Sequence, residues 1–211
     1  MEKNDRIKKL VLGILVLCVG MVFLAGCGSV QEKDSAETEE TASAGKEEHK
    51  IQIGLTVDSF VIERWIRDRD VFVATARELG ADVNVQDAGA DAEEQISQIE
   101  YFISKQVDVI VVIARDCGVL SDVVQKAQNA GIPVISYDRM INNANTDFYI
   151  SFDNRKVGEI MAQALIDAIP QGGDIFMIQG SSSDNNVKML KEGFDDTLED
   201  TNLYVVYAAN C

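Results

Sequence analysis

Short apolar runs alternate with longer amphipathic segments along most of the chain after residue 50. Continuous runs rich in Val and Ile are typical of parallel strands that are buried on both faces, whereas apolar residues three and four positions apart are typical of helices. The runs predict strands over 51–57, 82–88, 107–114, 132–138 and 147–153, and the first four are separated by predicted helices over about 61–79, 91–106 and 118–130. Asp91 is placed to cap the second helix, and Gly80 and Gly131 are placed to end the first and third.

This alternation predicts a doubly wound, parallel α/β sheet with right-handed crossovers. A second and shorter series follows, with helices over about 157–169 and 186–198 and strands over 173–180 and 203–209. The sequence therefore predicts one complete α/β lobe (50–152) and a partial second lobe (153–211). Because the chain stops directly after a strand with no closing helix, we expect it to be C-terminally truncated.

The N-terminal segment has a different pattern. A mostly basic start precedes the apolar run "LVLGILVLCVGMVFLAG", so residues 1–26 are predicted to be a secretory signal peptide, with a plain membrane anchor as the alternative. "LAGC" resembles the bacterial lipobox, which implies that Cys27 carries a lipid. Residues 27–49 contain almost no large apolar side chain and an excess of Glu, which predicts a flexible acidic tether.

The net charge and the histidine content of the sequence argue against two classes of function, nucleic-acid binding and histidine-dependent catalysis. The formal net charge of −16 argues against nucleic acid as a partner, since its binding needs clustered Lys and Arg. The single histidine, His49, lies in the tether, so the predicted lobes lack the histidine that Ser-His-Asp catalysis and most zinc sites require. We expect no enzyme activity, no cofactor and no metal. A disulfide between Cys117 and Cys211 is compatible with an oxidising compartment, but nothing in the sequence indicates that the two are close.

Candidate chemistry lies at the ends of the predicted strands, because ligands of doubly wound sheets bind outside the carboxyl ends of the strands. Carboxylates, guanidiniums, amides and an indole follow these strands: Asp58, Arg64 and Trp65; Arg115, Asp116 and Cys117; Asp138 and Arg139; Asp184, Asn185 and Asn186. Planar groups with paired donors or acceptors suit vicinal hydroxyls, and an aromatic face suits the C–H face of a sugar ring. The set predicts a small polyhydroxylated ligand.

Each signal also has a structural interpretation. Asp138 and Arg139 could form a structural ion pair, and Arg115 with Asp116 could belong to a solvated loop. On spacing alone, Trp65 fits the apolar face of its helix better than a ligand platform. "QGSSSDNN" could bind an anion at a helix N-terminus, although it lacks the Lys and the glycine spacing of a phosphate loop.

The motifs "IERWIRDRDVF", "QISQIE", "VLSDVV", "SYDRMIN", "DFYISFDNRKVGE" and "SDNNVK" resemble, in order and spacing, those of xylose-binding members of the type I (ribose/galactose-like) periplasmic binding proteins. The resemblance runs from about residue 50 to 198. It implies two α/β lobes that close on a sugar without catalysis. By position, it implies that the pentose is hydrogen-bonded by Arg64, Asp138, Arg139, Asp184 and Asn186, and that Trp65 packs against the sugar ring, which reverses the interpretation from spacing. Asp153 and Asn154 match the point where the chain leaves the first lobe, which implies a hinge.

The chain departs from the family pattern at two places. Ala114 to Cys117 replace a Pro/Tyr/Asn-type turn, which leaves the sugar preference open. Family members also continue well past residue 211, with the rest of the second lobe and further ligand contacts. For the 211-residue chain itself we therefore expect weak sugar binding or none.

The resemblance implies a lipid-anchored or periplasmic protein that binds a monosaccharide, with D-xylose as the expected sugar, and delivers it to the permease of an ABC importer. The alternative is a sugar sensor that signals to a membrane histidine kinase or a chemoreceptor through the same pocket. The effector domain of a DNA-binding repressor has this fold too, but the predicted export signal and the missing helix-turn-helix argue against that function.

Overall fold

The computed structural model describes residues 49–210, which form two parallel β-sheets with five helices. The predicted signal peptide, the predicted lipidation site Cys27 and nearly all of the predicted tether lie outside the described residues, as does Cys211. Residues 49–150 are called the first lobe below, and residues 154–210 the second lobe.

The first lobe contains five strands and three helices, and all five strands predicted for it are confirmed. In chain order they are β1 (Gln52–Val57), α1 (Glu63–Glu78), β2 (Asp82–Asp87), α2 (Ala92–Lys105), β3 (Val109–Ile113), α3 (Ser121–Asn129), β4 (Val134–Tyr137) and β5 (Phe148–Ile150). The strand order is β2-β1-β3-β4-β5, and each neighbouring pair is parallel. The order reverses at β1, which places a crevice at the carboxyl ends of β1 and β3.

Strand β3 is buried on both faces of this sheet. Ile110 and Val112 pack with Phe102 in the core on one face, whereas Val111 and Ile113 pack in a second core with Trp65 on the other. Successive side chains of a strand point to opposite faces, so a strand with helices on both sides must be apolar at every position. This requirement explains the uninterrupted apolar run in the sequence.

Local capping interactions set the ends of the helices. The Asp91 carboxylate accepts hydrogen bonds from the backbone N–H groups of Glu93 (2.9 Å) and Glu94 (3.4 Å), which confirms its predicted role. Gly80 and Gly131 adopt φ angles of 84° and 80°, in the left-handed region that glycine tolerates at helix ends.

The second lobe contains α4 (Asn154–Ala168), β6 (Gly173–Gln179), α5 (Asn185–Leu198) and β7 (Leu203–Asn210). The predicted start of α4 near Val157 is wrong, because the Asp153 carboxylate accepts a hydrogen bond from the Lys156 N–H at 2.9 Å and starts the helix at Asn154. Both helices cover one face of the β6–β7 sheet, where Ala162 and Phe194 are buried. On the other face, Phe176 and Ile178 are 77% and 79% exposed.

Helices α4 and α5 cross at a pair of glycines. A Cβ atom on Gly158 would overlap the backbone carbonyl oxygen of Leu190, and a Cβ atom on Gly193 would overlap that of Arg155. Only hydrogen fits between the two backbones at these points. The glycines therefore set the distance between α4 and α5, and with it the position of the N-terminus of α5.

We expect Gly158→Ala to lower the free energy of unfolding by about 1–3 kcal/mol, because overpacking forces the two helix backbones apart. This loss outweighs the gain of roughly 1 kcal/mol that Ala usually brings to a helix interior. Urea denaturation followed by circular dichroism measures the difference. Gln163→Ala, at an exposed position of the same helix, is the matched control. A stability of Gly158→Ala equal to or above that of the natural chain would contradict the close crossing.

Candidate functional site

Polar and charged side chains from both lobes meet at the carboxyl edge of the five-stranded sheet. Strand β1 ends directly before Asp58, β3 before Ala114 and Arg115, and β4 before Asp138 and Arg139. The second lobe contributes Ser183 to Asn186, at the N-terminus of α5. We call these residues, together with Arg64, Trp65 and Cys117, which contact them, the edge site.

Arg139 lies at the centre of the edge site and is only 11% exposed. Its Nη1 donates hydrogen bonds to Asp58 Oδ2 at 2.7 Å and to the Ala114 carbonyl oxygen at 3.0 Å. Its Nε lies 2.8 Å from Asp184 Oδ2. Within residues 49–210 this is the one ion pair that joins the two lobes. A single guanidinium thus links β1, β3 and β4 to the start of α5.

Asp138 is paired with Arg64. Arg64 Nη2 and Nη1 donate to the two carboxylate oxygens of Asp138 at 3.1 Å and 3.4 Å, and Arg64 Nε lies 3.4 Å from Asp68. Asp68 also accepts a hydrogen bond from the Tyr137 hydroxyl at 3.2 Å. Burial, followed by the negative charge of Asp68, raises the pKa of Tyr137, so the phenol remains a donor.

The backbone of Asp138 is held in an uncommon conformation. Its φ angle of 64° is in the left-handed region that non-glycine residues rarely adopt. Hydrogen bonds to its carbonyl oxygen from Ser151 Oγ (2.6 Å), Tyr149 Oη (3.3 Å) and Asn186 Nδ2 (3.2 Å) stabilise it. Such conformations persist where the surroundings over-determine them, and they concentrate at functional sites.

The start of α5 provides the contacts of the second lobe. Asp184 caps the helix by accepting a hydrogen bond from the Asn186 N–H at 2.9 Å. The Cys117 N–H donates to the Ser183 carbonyl oxygen at 3.0 Å, and the Cys117 sulfur accepts a hydrogen bond from the Asn185 N–H at 3.4 Å. Four consecutive residues of the second lobe therefore contact the strand ends of the first.

Trp65 lies in the core and beside two arginines of the edge site, and its packing against a sugar ring stays a prediction. The residue is 2% exposed and packs against Leu55 and Val57, as the helical spacing indicates. The guanidinium carbons of Arg64 and Arg139 also lie 4.4 Å and 5.6 Å from its ring centroid. The indole therefore forms an apolar wall of the edge site as well as part of the core.

Four buried side-chain atoms in residues 49–210 lack a hydrogen-bond partner, and all of them belong to the edge site. They are the acceptors Asp58 Oδ1 and Asn186 Oδ1 and the donors Trp65 Nε1 and Arg139 Nε. Arg139 Nε is in charge contact with Asp184, but not in hydrogen-bonding geometry. Buried polar atoms are almost always hydrogen-bonded in folded proteins, so these four atoms need polar partners that the described residues do not supply.

All six residues predicted to bind the ligand meet at this edge: Arg64, Trp65, Asp138, Arg139, Asp184 and Asn186. Two further members, Asp58 and Cys117, were candidates because they follow predicted strands, but they were not among the six residues predicted to bind the ligand. Nothing in the sequence around Cys117 indicates its contact with Asn185.

The predicted hinge residues have other partners. Asp153 caps α4, and the Asn154 amide donates to Ser151 Oγ at 3.2 Å and to the Phe152 carbonyl oxygen at 3.3 Å. They lie where the chain passes from β5 to the second lobe. Their role as a hinge stays a prediction.

Across residues 49–210, no three His, Cys, Asp or Glu side chains are grouped so that they could hold a metal ion. In the same part of the chain, none of the helices has the length and apolar character that crossing a membrane requires.

Comparisons with known proteins agree with this architecture. The sequence profile of the family described as "Periplasmic binding protein domain" matches residues 53–210. The D-xylose-binding periplasmic protein of Escherichia coli K12 is 51% identical over 144 residues, covering 68% of this chain and 43% of that protein. The multiple sugar-binding periplasmic receptor ChvE of Rhizobium radiobacter is 37% identical over 147 residues, covering 67% of this chain and 42% of that protein. The chain therefore spans less than half the length of these curated relatives.

Solved structures match the fold. An ABC transporter solute binding protein from Clostridium phytofermentans, with bound β-D-glucose, superposes with a TM-score of 0.70 at 28% sequence identity. The match covers 73% of this chain and 51% of that one. Both lobes described above thus have counterparts in the solved structures of such proteins.

The contacts of Cys117 predict how its thiol reacts. Burial raises the pKa of the Cys117 thiol above its ordinary value of 9.0. The thiolate is the reactive form, so native Cys117 should be alkylated by iodoacetamide roughly a hundredfold more slowly than in urea, since attack needs separation from Asn185. Peptide mass spectrometry after timed alkylation measures this residue separately from the other cysteines.

The same pKa shift has a definite sign for stability. Because the pKa of the Cys117 thiol is higher in the folded chain, the contribution of the neutral thiol to the free energy of unfolding is fully present below pH 9.0. That contribution is lost as the pH rises through the pKa of the folded state. Above pH 9.0 the alkylation rate of the denatured chain should level off, whereas that of the native chain should continue to rise toward its higher folded pKa. Equal rates in the native and denatured chains would contradict the burial of this thiol.

Proposed function

This chain belongs to the periplasmic binding protein family and has its type I, doubly wound α/β fold. We propose that its edge site binds a monosaccharide and that D-xylose is the preferred one. We further propose that the protein binds the sugar without chemical conversion and delivers it to an ABC importer. The site offers hydrogen bonds and an aromatic wall, which suit reversible capture.

The cluster of unsatisfied buried atoms carries the proposal. Two acceptors, Asp58 Oδ1 and Asn186 Oδ1, are accompanied by the donor Trp65 Nε1 and by Arg139 Nε, whose one contact is the ion pair with Asp184. A hydroxyl group both donates and accepts, so a ligand with several adjacent hydroxyls could satisfy both kinds of atom at once. An anion would satisfy only the two donors and would meet the carboxylates of Asp58, Asp138 and Asp184.

Relatives support a pentose in particular. The Escherichia coli relative is named for D-xylose, and it is 51% identical to this chain over 144 residues. The receptor ChvE is named for multiple sugars. The turn from Ala114 to Cys117 departs from the family pattern and contacts Arg139 and Asn185, so we assign to it the selection among related sugars.

The location forms part of the same proposal. We infer export through the signal peptide and attachment to the outer face of the cytoplasmic membrane through a lipid on Cys27, or release into a periplasm. A binding protein that supplies an importer must bind the sugar outside the cytoplasmic membrane, and this location meets that requirement.

Titration with D-xylose tests the proposal directly. Trp65 is the only tryptophan of the chain, so heteronuclear NMR spectra contain one side-chain indole N–H signal. We expect this signal to shift saturably as D-xylose is added, since Trp65 Nε1 gains a hydrogen-bond acceptor. The sequence left weak binding or none open for the 211-residue chain. Because the edge site is already assembled within residues 49–210, we expect weak binding, in the millimolar range or weaker, so the titration must extend to high sugar concentration. An indole signal that does not move would overturn the proposal.

Arg139→Ala should weaken sugar binding by roughly 1.5–3 kcal/mol, the scale of a lost charged hydrogen bond, which is about tenfold to a hundredfold in affinity. The indole shift would then no longer saturate over the same concentrations. Arg77→Ala removes an exposed arginine of α1 and is the matched control. Unchanged affinity in Arg139→Ala would remove Arg139 from the site.

A further inference from the structure

Asp58 is the most buried carboxylate of the edge site. It directly follows β1, and its side chain is 2% exposed. Its two oxygens have different environments. Oδ2 accepts a hydrogen bond from Arg139 Nη1 at 2.7 Å, whereas Oδ1 is buried and accepts none.

A second guanidinium neutralises Asp58 without occupying this oxygen. Arg115 Nε lies 3.7 Å from Asp58 Oδ1, beyond hydrogen-bonding distance. The backbone of Arg115 is fixed, because its N–H donates to Gln95 Oε1 at 2.8 Å, and Gln95 Nε2 donates to the Ile113 carbonyl oxygen at 3.0 Å. Charge compensation for Asp58 is therefore complete, but hydrogen bonding is not.

A buried carboxylate oxygen without a donor is costly, and the cost is removed when a donor arrives. No described side chain donates a hydrogen bond to Asp58 Oδ1, so we assign the missing donor to the ligand. A sugar hydroxyl fits this requirement because it can donate to Asp58 Oδ1 and accept a hydrogen bond from a neighbouring donor such as Arg139 Nε.

We propose that Asp58 is a specificity-determining ligand residue: Oδ2 positions Arg139, and Oδ1 accepts a hydrogen bond from one hydroxyl of the bound sugar. This inference rests on the proposed sugar-binding function and adds a contact to it. Because a carboxylate oxygen only accepts, the ligand group at this point must be a donor. A sugar with a methyl ether or a carboxylate there is rejected.

Asp58→Asn is the sharpest variant, because it preserves shape. The amide oxygen can remain on Arg139, and the amide nitrogen then replaces Oδ1, so an acceptor becomes a donor. We expect the affinity for D-xylose to fall about tenfold or more, as for a lost hydrogen bond to a charged group. The measurement is the Trp65 indole titration, and thermal unfolding checks that the variant folds.

Derivatives of D-xylose that each lack one ring hydroxyl separate a direct contact from an indirect one. For the derivative without the hydroxyl that meets Asp58, the natural chain and Asp58→Asn should bind equally, within about twofold, since the interaction is already absent. For the other derivatives the loss on substitution should persist. Asp82→Asn, at the exposed start of β2, is the matched control and should leave every affinity unchanged.

The outcomes are distinguishable. An equal loss for D-xylose and all the derivatives would mean that Asp58 acts only by positioning Arg139, and would overturn the inference while leaving sugar binding intact. If the Trp65 indole signal of the natural chain does not shift when D-xylose is added, the proposed function and this inference are both overturned. If Asp58→Asn does not fold, Asp58→Ser is read against the same derivatives, since its smaller side chain cannot reach the sugar hydroxyl.

Discussion

The Arg139 guanidinium and the carboxylates around it are the interaction on which the rest of the edge site depends. A charge that is 11% exposed must be paired, because burial without a partner costs several kcal/mol. Asp58 supplies one partner from the end of β1 and Asp184 another from the start of α5. Breaking either pair leaves a buried charge, so the position of α5 is coupled to the strand ends of the first lobe.

The fold prepares this interaction from two directions. In the first lobe, parallel pairing brings the ends of β1, β3 and β4 to one edge. Hydrogen bonds from Tyr149, from Ser151 and from Asn186 of the second lobe hold the Asp138 backbone in its left-handed conformation. In the second lobe, the glycine crossing of α4 and α5 sets where α5 begins. Packing at the glycine crossing thus determines where Asp184 and Asn186 lie.

Much of the fold was predictable because it follows from local pattern. Strand β3 is buried on both faces and therefore reads as an unbroken apolar run, although only Val109–Ile113 of the predicted 107–114 is extended. The predicted start of α4 is three residues too late. The Asp153 carboxylate caps the helix and sets its first residue, whereas the spacing of apolar residues gives no information about the cap. For the six predicted ligand residues, end-of-strand position and family resemblance indicated where they would gather, and the structure brings them together.

The sequence by itself determined the fold class, the succession of elements and the residues that stand at the carboxyl edge, because each of these depends on residues near one another in the chain. Only the tertiary structure decided which charges pair. It shows that Asp58 accepts a hydrogen bond from Arg139 through one oxygen while the other oxygen has none, and that Trp65 belongs to the core and also borders the edge site. The physical reason is distance along the chain: the Asp58–Arg139 bond joins residues 81 positions apart, and the Arg64–Asp138 bond joins residues 74 apart. Such pairings depend on strand order and helix packing, which no local pattern encodes.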